Sequence, residues 1–165
     1  MDEISYKNTV MELANNPLVL QMAKYVQHGN STTYQHSVNV AIIAGKIAKK
    51  LHIKISAVEL ARGAMLHDFF LYDIHGGSVG TWEHGFGHAS VALENACKHF
   101  DLTDIEKDII YTHMWPLNIT RVPGCKESVI VGIADKISAV TERIMKSSYT
   151  KEGDFKKIKY IAFAY

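Results

Sequence analysis

A run of apolar residues that stops at a His-Asp doublet constrains this chain more than any other feature. Ser56 stands three residues ahead of Glu59, the spacing of a capping box at a helix start. Ala57, Val58, Leu60, Ala61, Ala64, Met65 and Leu66 then give a strongly apolar helical run. His67-Asp68 ends it, and Phe69-Phe70-Leu71-Tyr72-Asp73-Ile74-His75-Gly76-Gly77-Ser78 breaks into glycine with no further helical period. An imidazole and a carboxylate adjacent in sequence diverge inside a regular helix. At a helix end they can converge on one cation. The doublet is therefore expected to close a buried helix and to face a loop.

The rest of the chain reads as helix after helix. Asn16-Pro17 has the form of an N-cap and first helical position, opening a segment through about Gln27 that His28-Gly29-Asn30 ends. Thr32 or Thr33 starts a long helix to about His52, with His36, Val40, Ile43, Ile47 and Leu51 at steps of four, three, four and four. His36 thus lies on the apolar stripe. The doublet helix runs from Ala57 to about Phe70, a fourth from about Gly87 to His99, and a fifth from Thr103 to about His113, with Thr103 and Glu106 a second capping box. After a loop from Pro116 to Pro123, Glu127 to about Lys146 makes a sixth. Alternation of strand type is missing, so the expected fold is all-α, a compact bundle of about six or more helices. With 165 residues and 47% hydrophobic content the chain can bury a real core. One domain over 1–165 is expected, with its core at about 32–146. Residues 151–165 mix lysines with Phe155, Ile158, Tyr160, Ile161 and Phe163, as a last amphipathic helix or a frayed tail.

Charge and cysteine content exclude several classes. With 18 basic and 17 acidic residues the net charge is +1, too little for a field that would attract a nucleic-acid polymer. The start, Met1-Asp2-Glu3-Ile4-Ser5, has neither a basic nor an apolar signal region, and no apolar stretch reaches the roughly 18 residues of a membrane span. A cytoplasmic protein with no membrane partner is expected. Cys97 and Cys125 lack metal-site spacing and do not form a disulfide framework.

Several other side chains carry chemistry. Asp135 follows the almost wholly apolar Val129-Ile130-Val131-Gly132-Ile133-Ala134, where a buried carboxylate is costly unless paired or coordinated. Val131, Ser138, Ala139 and Glu142 share its helix face. Trp82-Glu83-His84-Gly85-Phe86-Gly87-His88 is dense in glycine, which lets backbone approach a ligand closely. His88 at a helix start can reach a site there, and His84 suits a proton donor or substrate contact. His113 ends the fifth helix ahead of Met114-Trp115-Pro116. His28, His52 and His99 sit at helix C-terminal ends, where the helix dipole accounts for them.

The order of these residues resembles the HD-domain superfamily of metal-dependent phosphohydrolases: a His on a long helix, a His-Asp doublet ending the next, two isolated His, and Asp in Ala-Asp-Lys. The likeness runs from about Tyr34 to Glu142. His84-Gly-Phe-Gly-His88, His113-Met-Trp-Pro-Leu and Ala134-Asp-Lys look like a group of small, stand-alone bacterial HD hydrolases. The resemblance maps metal ligands onto His36, His67, Asp68 and Asp135, and onto His88 and His113 as in members that bind two ions. Asp68 would bridge both, with His36, His67 and Asp135 on the first and His88 and His113 on the second. Several dinuclear relatives carry a Gly-Lys shortly after the doublet, where this sequence continues Phe69-Phe70-Leu71-Tyr72-Asp73, and the Gly-Tyr-Pro signature of the cyclic-di-GMP phosphodiesterase branch is missing.

Two close cations lower the pKa of a bridging water, polarise a phosphoryl oxygen and stabilise entering and leaving oxygens. Mixed His and carboxylate ligation suits two divalent ions of Fe or Mn, with Zn next. The resemblance therefore implies hydrolysis of a phosphoester or phosphoanhydride in a small nucleotide or phosphorylated metabolite, with Asp68 and His84 as catalytic residues. Candidate substrate contacts are Arg62, Arg121 and Lys136 for the phosphate and Tyr72 and Asp73 on the loop after the doublet. Two alternatives stay open, a mixed-valence di-iron oxygenase and a non-catalytic ligand-binding module, as does a homodimer.

Overall fold

The computed structural model describes residues 1–28, 31–73 and 81–144, with backbone alone at 28, 81–86 and 144. The fold is all-α. Among the described residues the helices are α1 (Glu3–Ala14), α2 (Pro17–Leu20) running into a 3-10 turn (Gln21–Lys24), α3 (Thr33–Lys50), α4 (Ala57–Leu66), α5 (Thr81–His99), α6 (Asp104–Thr112) and α7 (Lys126–Ile144). A two-strand ribbon, β1 (Val26–His28) antiparallel to β2 (Ser31–Thr32), lies between the 3-10 turn and α3. No helix among the described residues is long and apolar enough to cross a membrane. The expected tail at 151–165, the last residues of the sixth expected helix and His75 lie outside the described residues.

Capping side chains set where the helices begin. Asn16 accepts the Leu18 amide at 2.9 Å ahead of Pro17. The reciprocal box at α3 belongs to Thr32, whose Oγ1 accepts the Gln35 amide while Gln35 Oε1 accepts the Thr32 amide. Thr103 and Glu106 form the same box at α6. At α4 only half of the expected box forms: Ser56 accepts the Glu59 amide, and the Ser56 amide goes to Glu127 of α7 instead, at 3.2 Å.

Three expected boundaries are corrected, the first at α4, which stops at Leu66 with His67 as its C-cap rather than running to about Phe70. The segment after Pro17 is helical only to Lys24, because Tyr25 is drawn out of the helix by the start of α3: its carbonyl accepts the Thr33 amide at 2.9 Å and the Thr33 hydroxyl at 3.3 Å. Helix α5 begins at Thr81, six residues before Gly87, since a glycine costs a helix only about 1 kcal/mol. Helix α1 adds to the expected helices: Asp2 caps it, and Tyr6, Val10 and Leu13, its buried residues, stand at i, i+4 and i+7.

Helix α4 is the centre of the molecule. Leu60, Ala61, Ala64, Met65 and Leu66 have no exposed surface, and the helix packs on α1, α3, α6 and α7. Gly63 sets its approach to α6, because a Cβ there would overlap the Ile109 side chain. The same approach carries the C-terminal ends of both helices, at His67 and His113, to one place: the two rings stand 4.9 Å apart, edge to face.

Candidate metal centre

Five helices meet at the end of α4, and each brings donors. His36 comes from the first turns of α3, His67 and Asp68 from the end of α4, His88 from α5, His113 from the end of α6 and Asp135 from the middle of α7. All six residues are 8% exposed or less, so their charges and lone pairs must find partners inside the protein.

The carboxylate of Asp68 divides the cluster. Its Oδ2 is 3.2 Å from His67 Nε2 and 3.7 Å from His36 Nε2. Its Oδ1 is 3.4 Å from His88 Nε2 and 3.5 Å from His113 Nε2. Asp135 Oδ1 lies 3.0 Å from His36 Nε2 and 3.9 Å from His67 Nε2. Two groups of three result, His36 with His67 and Asp135, and Asp68 with His88 and His113. In each the candidate ligand atoms lie within 4.8 Å of one another, close enough to hold a metal ion.

The local structure that aims these rings repeats. His67 is the C-cap of α4 and His113 the C-cap of α6. Carbonyls in the last turn of a helix have no amide to accept from. Each histidine supplies one, His67 Nδ1 donating to Ala64 O and His113 Nδ1 to Ile110 O, both at 2.8 Å. That bond fixes the tautomer and leaves Nε2 as the free lone pair turned inward. His36 is aimed by a carboxylate: its Nδ1 is 3.2 Å from Glu142 Oε2. Glu142 is itself held by Asn39 Nδ2 at 3.0 Å and Ser138 Oγ at 2.7 Å.

The donor set fits divalent cations. Without one, His67 Nε2 and Asp68 Oδ1 are buried with no hydrogen-bond partner, and the Nε2 atoms of His88 and His113 face each other at 2.9 Å. Lone pairs so placed need a proton or a cation between them. Mixed imidazole and carboxylate ligation is that of Fe, Mn or Zn sites.

The electrostatics of the two groups differ. Burial works against charge on His36, but the hydrogen bonds to Asp135 and Glu142 outweigh it and push the imidazole up to about 10. At His113 burial wins over the attraction of Asp68 and pushes the ring down to about 3. Burial would raise both Asp68 and Asp135, yet the histidines around them, His67 foremost at Asp68 and His36 at Asp135, hold both carboxyls below the usual range.

Other expected site residues take varied positions. Tyr72 packs its ring on Phe70 at 4.8 Å beyond Leu71, whose left-handed backbone (φ 55) turns the chain after the doublet. Burial first, and then the Asp68 charge, push its hydroxyl up to about 12. Asp73, two residues after Leu71, is exposed. Lys136 Nζ donates to His113 O at 2.9 Å and Gly132 O at 3.1 Å, 3.8 Å from Asp135 Oδ2. Arg121 donates to Ser90 Oγ at 2.8 Å and covers the Tyr111 ring. Arg62 is not brought to the cluster: it pairs with Glu106 at 2.6 Å and the Asp101 carbonyl at 2.7 Å, near the opposite end of α6 from His113. The imidazole of His84 lies outside the described side chains.

Two residues of the centre went unassigned in the sequence. Glu142 was placed on the Asp135 face, a hint of its position but not of its role. Gln27, at β1, donates from Nε2 to Asp68 Oδ2, and no periodicity or charge marks it.

Comparison with known proteins gives the chain a family. Ribonuclease Y of Treponema denticola is 35% identical over 105 residues, covering 64% of this chain and 18% of that protein. Ribonuclease Y of Thermotoga petrophila is 27% identical over 172 residues, covering 99% of this chain and 31% of that protein, and that of Thermotoga maritima matches to the same extent. The chain thus spans less than a third of the length of these relatives. No solved structure matches it. The HD domain family matches residues 33–140, the span from the start of α3 through Asp135 into the last turns of α7, and the chain belongs to that family.

Proposed function

We propose that the protein is a metal-dependent phosphohydrolase that cleaves a phosphoester or phosphoanhydride of a small nucleotide or phosphorylated metabolite. One observation carries this reading: the two oxygens of one buried carboxylate, Asp68, face two different groups of metal-competent donors. His36, His67 and Asp135 would hold one divalent ion, His88 and His113 the other, with Asp68 shared. A cation pair supplies Lewis acidity toward a phosphoryl oxygen and an activated water.

The chain's own groups do the rest. The Nδ1 bonds of His67 and His113 keep two imidazoles in one tautomer, and the Nδ1 contact to Glu142 holds the His36 ring in place, so no reorientation is needed when ligands are engaged. Tyr72, protonated well above neutral pH, serves as a hydrogen-bond donor to substrate rather than as a base. Lys136, a third exposed at its side chain, brings positive charge beside Asp135 for a phosphate oxygen. Asp73 and Arg121 are proposed as further contacts at the entrance, and His84 as the group that protonates the leaving oxygen. The names of the relatives favour a second substrate, the phosphodiester of RNA.

A panel of p-nitrophenyl phosphate, bis-p-nitrophenyl phosphate, nucleoside mono- and triphosphates and a short RNA tests the proposal. Hydrolysis that a chelator abolishes and Mn²⁺ restores supports it, and the preferred member sorts small substrates from RNA. Dioxygen consumption without hydrolysis would replace it with oxygenation.

A further inference from the structure

The ribbon of β1 and β2 is irregular at one place. Val26 pairs with Thr32 and His28 with Ser31, so the register slips at the residue between them, Gln27. Such a bulge redirects one side chain away from the alternation of the strand. Here Gln27 is 92% buried, and its amide reaches 41 residues along the sequence to donate to Asp68 Oδ2. The assignment of its two ends is dictated by chemistry, since a carboxylate accepts from an NH₂ and repels a carbonyl.

Two features set this contact apart from ordinary packing. Oδ2 is the Asp68 oxygen nearest His36 and His67, so a donor fixed on it decides which oxygen turns toward which donor group. Gln27 Oε1, meanwhile, is buried with no hydrogen-bond partner. A buried acceptor left unmade is costly, and an apolar residue of similar length would fill the space without that cost.

We infer that Gln27 is a positioning residue that fixes the orientation of Asp68 between the two donor groups. The inference rests on the dinuclear reading above. An amide is suited to the task because it donates without titrating and adds no charge that would compete with His36 for Asp68.

Calorimetric titration of the metal-free protein with Mn²⁺ tests it. Gln27→Met keeps length and apolar bulk while removing the donor, and is expected to weaken Mn²⁺ binding about 10–100-fold, with a metal-free melting temperature equal to or above the parent's. Gln35→Ala breaks the capping box at the same ribbon-to-helix junction and is expected to lower the melting temperature while Mn²⁺ affinity stays within about twofold of the parent. Parental affinity in Gln27→Met overturns the inference. So does an equal loss of affinity in Gln35→Ala, which would assign the effect to the ribbon. If Gln27→Met does not fold, Gln27→Asn, which withdraws the amide by one methylene, decides in the same way: weakened binding supports the inference and parental binding overturns it. A parent that binds no Mn²⁺ ends the dinuclear reading itself, and this inference with it.

Discussion

The two donor groups share one carboxylate but are built for different tasks. The group on α3, α4 and α7 is rich in negative charge: Asp135 lies in it, Glu142 stands behind His36, and His36 keeps a proton up to about 10 to balance them. The group on α5 and α6 consists of two imidazoles and the far oxygen of Asp68, with His113 held neutral by burial. A cation held by the first group would compete with the His36 proton among carboxylates, whereas at the second His113 Nε2 carries no proton to displace. The comparison teaches that a single buried cluster can present two donor groups of different charge.

The harshest way to break this contrast is Asp68→Ala, which removes the group both sites use. Both ions and all hydrolysis are expected to be lost, as read by metal analysis and by the substrate panel. His88→Ala and His113→Ala should separate the sites instead, leaving one ion per chain with little activity. Equal metal content in these variants and the parent would dissolve the distinction.

Titration by pH sharpens it further. A metal ligand must be deprotonated, so the first ion competes with the His36 proton, and its affinity should rise about tenfold per pH unit from neutral pH toward 10. The same raised value has a consequence for stability. The folded state binds this proton more tightly than the unfolded chain does, so its contribution is complete below about 6.5 and fades as pH climbs through about 10. Metal-free protein should therefore lose melting temperature over that window while metal-loaded protein does not. Flat affinity from neutral pH to 9 would contradict the carboxylate trap around His36.

Smaller effects follow from the groups behind the ligands. Glu142→Gln keeps a partner for His36 but removes its charge, and should weaken the first ion about 10–100-fold without touching the second. Chelation should lower the melting temperature. An ion present at about a hundred times its Kd stabilises by about 2.7 kcal/mol, worth roughly 5–10 °C in a chain of this size. An unchanged melting temperature in protein shown to be stripped of metal would count against buried ligands.

Much of this site was legible in the sequence because its chemistry sits on helices with strong apolar patterning. His67-Asp68 ends a helix that is mostly buried, and Asp135 interrupts an apolar run; both are improbable places for idle polar groups. Capping residues mark the starts of α2, α3 and α6 to within one residue. What stayed hidden depends on contacts between distant segments. Gln27 lies in what reads as helix until the start of α3 pulls Tyr25 into an extended backbone, and only then does a bulge turn the amide onto Asp68. Arg62 looked available for phosphate, but the closeness of α4 and α6 that Gly63 permits commits it to Glu106. Patterning announces which face is buried, whereas partner choice between polar side chains waits on tertiary geometry.

The central claim is that six buried side chains hold two ions around Asp68, and counting ions tests it most directly. Metal-free protein titrated with Mn²⁺ should take up two ions per chain in two resolved steps, the tighter surviving His113→Ala and neither surviving Asp68→Ala. Uptake of no ion by the parent, or undiminished uptake by Asp68→Ala, would contradict the account.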